Sequence, residues 1–214
     1  MPFVNDDSSL LTSSTSSRDA FLDLFTQILE FVALLHTQNI AFIDISSGNI
    51  LYSTTGFEYG QFRVSEKTIY FIDFGSARQF ATGPGNGAVV DFAAVTNTLP
   101  EGPNNVDPYA CDIYGLGMLL STMIRRNAAK HPEVELPLTQ VIPLMEKMTS
   151  EIPENRPSIV EVQREWYDLL MSEGLPVPSR TAASARSGIA ESVPKGTKMW
   201  WIPAFLRRAL GSLR

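Results

Sequence analysis

Apolar residues recur at helical spacing through Phe21, Leu24, Phe25, Ile28, Leu29, Val32 and Leu35, which predicts an amphipathic helix. Ser16 or Ser17 can cap its start, and Gln38-Asn39 ends it. Ahead of it, Asn5 to Ser17 is rich in Ser, Thr and Asp and reads as a polar loop. Behind it, Ile40-Ala41-Phe42-Ile43 reads as a short strand. Ile50-Leu51-Tyr52 and Ile69-Tyr70-Phe71-Ile72 are brief β-prone runs around a glycine-bearing polar stretch, the pattern of a hairpin. Gly, Ala, Asn and Pro then dominate from Phe74 to Asn105, predicting a long loop. Strong apolar character returns over Asp112 to Ile124, ending in Arg125-Arg126, as in a buried helix. Helical spacing recurs over Leu138 to Met148 and over Ser158 to Met171, the latter capped by Ser158 behind Pro157. Ser172 to Gly196 has linker composition. Trp200 to Leu213 closes the chain with a second amphipathic pattern, and no internal repeat is present. The reading is a mainly α fold with short β-hairpins.

Composition narrows the class. The chain has 214 residues, enough for one cored domain with a tail, and 44% hydrophobic with 19% charged residues is ordinary for a globular protein. A net charge of −6 argues against nucleic-acid binding, which favours a basic surface. The single Cys111 excludes an internal disulfide and fits a reducing compartment. Met1 to Leu10 carries Asp6 and Asp7 and no basic residue, unlike a signal peptide. No uncharged apolar run approaches the ~18 residues of a membrane-spanning helix. A soluble intracellular protein, cytoplasmic or nuclear, is expected.

Three acidic motifs fall in one order: Asp44-Ile45-Ser46-Ser47-Gly48-Asn49, then Asp73-Phe74-Gly75, then Asp112-Ile113-Tyr114-Gly115-Leu116-Gly117. Phosphoryl transfer from a nucleotide needs a carboxylate to orient the attacking hydroxyl. It also needs a carboxylate and an amide oxygen to hold magnesium on the phosphates. Asp44, Asp73 and Asn49 supply that set. Asp44 and Asn49 lie on one turn between strand-like runs, which lets both face one cavity, although Asp and Asn also serve ordinary turns. Asp73 ends a buried-strand pattern, where a carboxylate is costly unless paired or metal-bound, and Gly75 permits a sharp turn beside it. His36, His131 and Cys111 form no zinc-like pattern; His36 reads as an ordinary helix-end histidine and Cys111 as a packed thiol.

On these motifs the chain resembles the C-terminal lobe of a eukaryotic-type protein kinase over about residues 19 to 171, lacking the N-terminal lobe. His36 to Asp44 resembles the run into the catalytic loop, and Ile72-Asp73-Phe74-Gly75-Ser76-Ala77-Arg78 the magnesium-binding motif. Leu99-Pro100-Glu101 resembles the end of the activation segment, and Glu154-Asn155-Arg156-Pro157-Ser158 the late arginine motif. In particular it is similar to divergent kinase-like proteins of mushroom-forming fungi. The resemblance implies ATP and magnesium as cofactors and a protein substrate or partner. Asp44 would orient the substrate hydroxyl, and Asn49, Asp73 and Gly75 would form the cofactor site, with magnesium on Asn49 and Asp73. Glu101 and Arg156 would form a buried ion pair, and Asp112 would hold the catalytic-loop backbone. Residues 1–18 would be a hinge-like start with a polar loop, 172–197 a flexible linker, and 198–214 a basic amphipathic segment.

The departures carry their own expectations. Phe42-Ile43 stands where the family has His-Arg: Phe42 can replace a packing ring, but Ile43 cannot pair with a phosphorylated residue. Phosphorylation of Thr82, Thr96 or Thr98 is therefore not expected to switch the protein on through that pocket. Ser46 replaces a lysine that contacts the γ-phosphate, and no Gly-x-Gly-x-x-Gly loop, strand lysine or paired helix glutamate precedes Asp44. Weak nucleotide binding and poor phosphate transfer by this chain alone are expected, because this chemistry is mostly positioning and electrostatics. A pseudokinase-type binding or scaffold module is the alternative, and a small-molecule phosphotransferase a third reading, weakened by the Asp112–Gly117 motif and Arg156. Lys198, Arg207, Arg208 and Arg214 beside Trp200, Trp201, Ile202, Phe205 and Leu206 make residues 200–214 a docking segment, for a partner or its own domain in preference to a membrane surface.

Overall fold

The computed structural model describes residues 17–59, 62–91, 98–175 and 177. Helix α1, Arg18–Thr37, starts where the Ser17 hydroxyl accepts the Ala20 N–H at 3.2 Å. It ends at Thr37, with Asn39 beyond it in the left-handed region at φ 56. Its apolar face, from Phe21 through Phe25, Ile28, Leu29 and Val32, lies at the centre of the main core. By length and apolarity α1 could cross a membrane, but those residues are buried against the rest of the fold, as in the core helix of a globular domain.

Strand β1 is only Ile40–Ala41, paired antiparallel with β6, Arg78–Gln79. The expected strand over Ile40–Ile43 is thus shortened, because the Phe42 and Ile43 N–H groups bond to the Asp112 carboxylate and not to a neighbouring strand. The hairpin is β2, Ile50–Ser53, against β5, Thr68–Phe71. The polar stretch between them is not a plain loop: β3, Phe57–Tyr59, and β4, Phe62–Val64, form a second small ribbon within it. Nor is the segment from Phe74 to Asn105 without structure among its described residues. It holds β6, and a bridge joins Val90 to Val106 through two 3.0 Å backbone hydrogen bonds.

Helix α2, Pro108–Lys130, begins four residues before the expected Asp112 and runs past Ile124. Asp107 caps it, accepting from Tyr109 and Ala110, and Pro108 takes the first turn, where its missing N–H costs nothing. Gly117 lets α2 approach the end of α3, Leu138–Met148. A Cβ there would stand 2.6 Å from Thr149 Cγ2 and 3.0 Å from Met148 Cβ. Helix α4, Ile159–Ser172, carries a full capping box between Ser158 and Glu161. It closes in a Schellman turn, with Gly174 at φ 69 and Leu175 N–H bonded to Leu170 C=O at 2.9 Å. Leu175 and Val177 pack on the core, so the start of the expected linker at Ser172 belongs to the domain.

Helix α4 lies on α1, where Trp166 is fully buried, edge-on to Phe25 at 4.8 Å. Its ring N–H donates to Thr26 Oγ1 at 2.8 Å, satisfying the one polar atom of that ring. The described residues are mainly helical, with three two-stranded antiparallel sheets. The segment 198–214 lies outside the described residues.

Candidate active site

Register assembles the site. Pairing of β2 with β5 aligns Ile50 with Phe71, and the next rung outward is Ile72 N–H to Asn49 C=O at 2.9 Å. The following residue on the β5 side is Asp73, so its backbone emerges beside Asn49 at one end of the ribbon. Asn49 closes a 3-10 turn, Ser47–Asn49. Its Nδ2 donates to Asp44 Oδ2 and to the Asp44 carbonyl, both at 2.9 Å. Asp44, Asn49 and the backbone of Asp73 therefore share one corner of the molecule.

Each group has a local reason for its position. Asp73 sits at φ 55, a conformation aspartate tolerates better than most residues. Its Oδ1 accepts the Gly75 N–H at 3.2 Å, and a Cβ at Gly75 would meet that oxygen at 3.0 Å. Gly75 thus allows the backbone to close on the carboxylate. With Asn49 Nδ2 directed to Asp44, the amide oxygen is the atom of Asn49 suited to a cation.

Behind Asp44 the loop is held by Asp112, which is completely buried. Asp112 Oδ2 accepts Phe42 N–H at 2.8 Å, and Oδ1 accepts Ile43 N–H at 2.6 Å. Oδ2 also lies 3.0 Å from His36 Nε2. Ile43 stands at φ 73, which for a β-branched residue is strained by about 1–3 kcal/mol and persists only where the surroundings fix it. Here two carboxylate oxygens fix the N–H groups, and the Cys111 thiol donates to the Ile43 carbonyl at 3.4 Å. Burial, with Asp112 next, pushes the Cys111 thiol far up, so it stays neutral and serves only as a weak donor.

The Ile43 side chain is buried with Ala41, Leu99, Val106, Tyr109 and Cys111 in a second apolar cluster. Phe42 packs edge-on against Phe71 and Phe74 at 5.2 Å each, the packing ring expected at that position. Arg156 grips Glu101 in a fork, Nη1 to Oε1 at 2.8 Å and Nη2 to Oε2 at 2.6 Å. The guanidinium also donates to Ser150 C=O at 2.9 Å and lies 4.8 Å from the Tyr114 ring centre.

His36 is the correction among the lesser residues. It is no ordinary helix-end histidine but a buried partner of Asp112, 76 residues away in sequence. Nothing local in the sequence signals that pairing. The early start of α2 did have a signal, Asp107-Pro108, a capping acid followed by a first-turn proline.

Among the described residues no group of three or more His, Cys, Asp or Glu side chains could hold a metal. Asp73 with the amide oxygen of Asn49 is a donor set that a hard cation arriving with a phosphate ligand could use, since magnesium takes one or two carboxylates and fills its shell with phosphate oxygens and water. Compared with known families, residues 3–170 match the family model described as protein kinase domain.

Proposed function

Because the chain belongs to the protein kinase domain family, we propose that residues 17–175 form its C-terminal lobe and carry a phosphotransfer site for serine or threonine hydroxyls of a protein substrate. Bound ATP and magnesium would supply the γ-phosphoryl group and neutralise its charge. Asp44 would orient the acceptor hydroxyl and receive its proton as the oxygen–phosphorus bond forms. Asn49 Oδ1 and the Asp73 carboxylate would hold the cation, and Gly75 would keep Asp73 in position. The carrying observation is the Asp44–Asn49 hydrogen bond at the end of the ribbon that also delivers Asp73. We place its site of action inside the cell on the sequence alone, where the single Cys111 leaves no internal disulfide.

Thermal unfolding with and without ATP–magnesium tests this reading. For a weak site, ligand at about ten times Kd adds ~1.4 kcal/mol, a readable rise in Tm. Wild type is expected to show it and Asp73→Asn to lose it. Absence of any response in wild type would refute nucleotide binding by this chain.

A second reading, a pseudokinase-type binding module, draws on Ser46 and Ile43, which place no cation beside Asp44 from those two positions. Stabilisation by ATP–magnesium without transfer to any serine peptide would favour it. The Glu101–Arg156 pair and the Asp112 bonds to Phe42 and Ile43 weigh against a small-molecule phosphotransferase. Replacing Thr82, Thr96 or Thr98 with Glu is expected to leave phosphotransfer unraised, since Ile43 is buried in an apolar cluster with no charge to offer. A variant of this set with raised activity would overturn that expectation.

A further inference from the structure

The segment after Gly75 returns to the body of the protein at two separate places. Near its start, the Tyr109 hydroxyl donates to the Thr82 carbonyl at 2.8 Å, and the Tyr109 ring lies 5.8 Å from that of Phe80. The Phe80 N–H donates to the Asn39 carbonyl at 2.8 Å. Near its far end, Val90 and Val106 exchange two 3.0 Å hydrogen bonds, and Asn105 N–H donates to Asp91 Oδ1 at 2.7 Å. Between these anchors, residues 84–89 are largely exposed, with Gly85 and Gly87 at positive φ.

Tyr109 is not an isolated tether. Its ring stands edge-on to His36 at 5.0 Å, and His36 meets the Asp112 carboxylate that fixes Phe42 and Ile43. One continuous set of contacts therefore joins the Thr82 carbonyl to the turn that presents Asp44. Every tether between Tyr109 and the segment is neutral or backbone, and Ile43, in the same cluster as Tyr109, has no charge.

We propose that Tyr109 is a positioning residue that docks the segment 80–91 against the loop bearing Asp44, keeping it in its substrate-receiving place with no phosphate on the segment. Its role in receiving substrate rests on the phosphotransfer reading; the docking itself does not. The hydroxyl is a dependable donor, since burial, with Asp107 and Asp112, pushes its pKa up to about 12. The competing group is Arg78, exposed on β6 opposite Ala41, through which a phosphate could act.

The test is hydrogen–deuterium exchange and limited proteolysis on the full chain after phosphatase treatment, comparing wild type with Tyr109→Phe and Phe80→Ala. In wild type the amide of residue 80 stays protected and residues 83–89 resist cleavage after dephosphorylation. Tyr109→Phe keeps the ring and removes one net hydrogen bond, so exchange at residue 80 is expected to rise roughly five-fold with α1 and α2 unchanged. Phe80→Ala, which removes the ring packed on Tyr109 and the second apolar cluster but touches none of the main core, releases the same segment. With a serine peptide as acceptor, Tyr109→Phe raises KM by a larger factor than it lowers kcat. The proposal is overturned if neither variant alters exchange or cleavage there, or if phosphatase treatment alone releases the segment in wild type. Loss of ATP–magnesium stabilisation in wild type would instead sink the phosphotransfer reading and leave the docking result standing.

Discussion

Replacing Asp112 with alanine is expected to destabilise the domain by about 3–5 kcal/mol, a large share of the stability of a chain this size. The carboxylate is fully buried and satisfies the Phe42 N–H, the Ile43 N–H and His36 Nε2. Each group left without a partner away from water costs about 1–3 kcal/mol. Ile43 would also lose one of the contacts that hold it at φ 73, so the loop would relax toward an ordinary conformation and carry Asp44 with it. Asp112→Asn should be milder, since the amide oxygen can keep one acceptor role while its NH2 group faces a donor. Urea denaturation of the three proteins measures this. A loss below about 1 kcal/mol for the alanine variant would mean that the loop finds other acceptors.

Helices α1, α3 and α4 were legible in the sequence because their signals are local, whereas α2 was placed four residues late at its start. Ser17, Ser158 with Glu161, and the apolar spacing of α1, α3 and α4 are decided within a few residues of each boundary. The β2–β5 hairpin was legible for the same reason. What failed was decided at long range. Phe42 and Ile43 have the composition of a strand, yet a carboxylate about 70 residues away takes their N–H groups and ends β1 at Ala41. His36 looked ordinary because its partner lies on another helix. β6 is two residues long and exists only because Ile40–Ala41 is there to pair with it. For the candidate site, the residue types and their order were visible in the chain. The geometry that brings Asn49 beside Asp73 comes from hairpin register, and the tether from Tyr109 to Thr82 had no sequence signal at all.

Changing Glu101 to glutamine is the second substitution with a large expected effect. The Arg156 side chain is wholly buried, and its only carboxylate partner among the described residues is Glu101, which is itself 16% exposed. The glutamine side chain would keep the shape but leave a buried guanidinium with neutral acceptors alone, its own amide oxygen and the Ser150 and Ala110 carbonyls. Breaking a buried pair from one side typically costs about 3–5 kcal/mol, because the remaining charge stays desolvated. Arg156→Met should cost less than Glu101→Gln, since the charge it strands is nearer water. Combining Glu101→Leu with Arg156→Met should recover much of the loss, because an apolar pair of similar volume carries no desolvation penalty. Unfolding free energies of wild type, Glu101→Leu, Arg156→Met and the double variant close the cycle. A double variant as unstable as the sum of the two single changes would show that the pair is not coupled, and that Arg156 acts through Ser150, Ala110 and the Tyr114 ring alone.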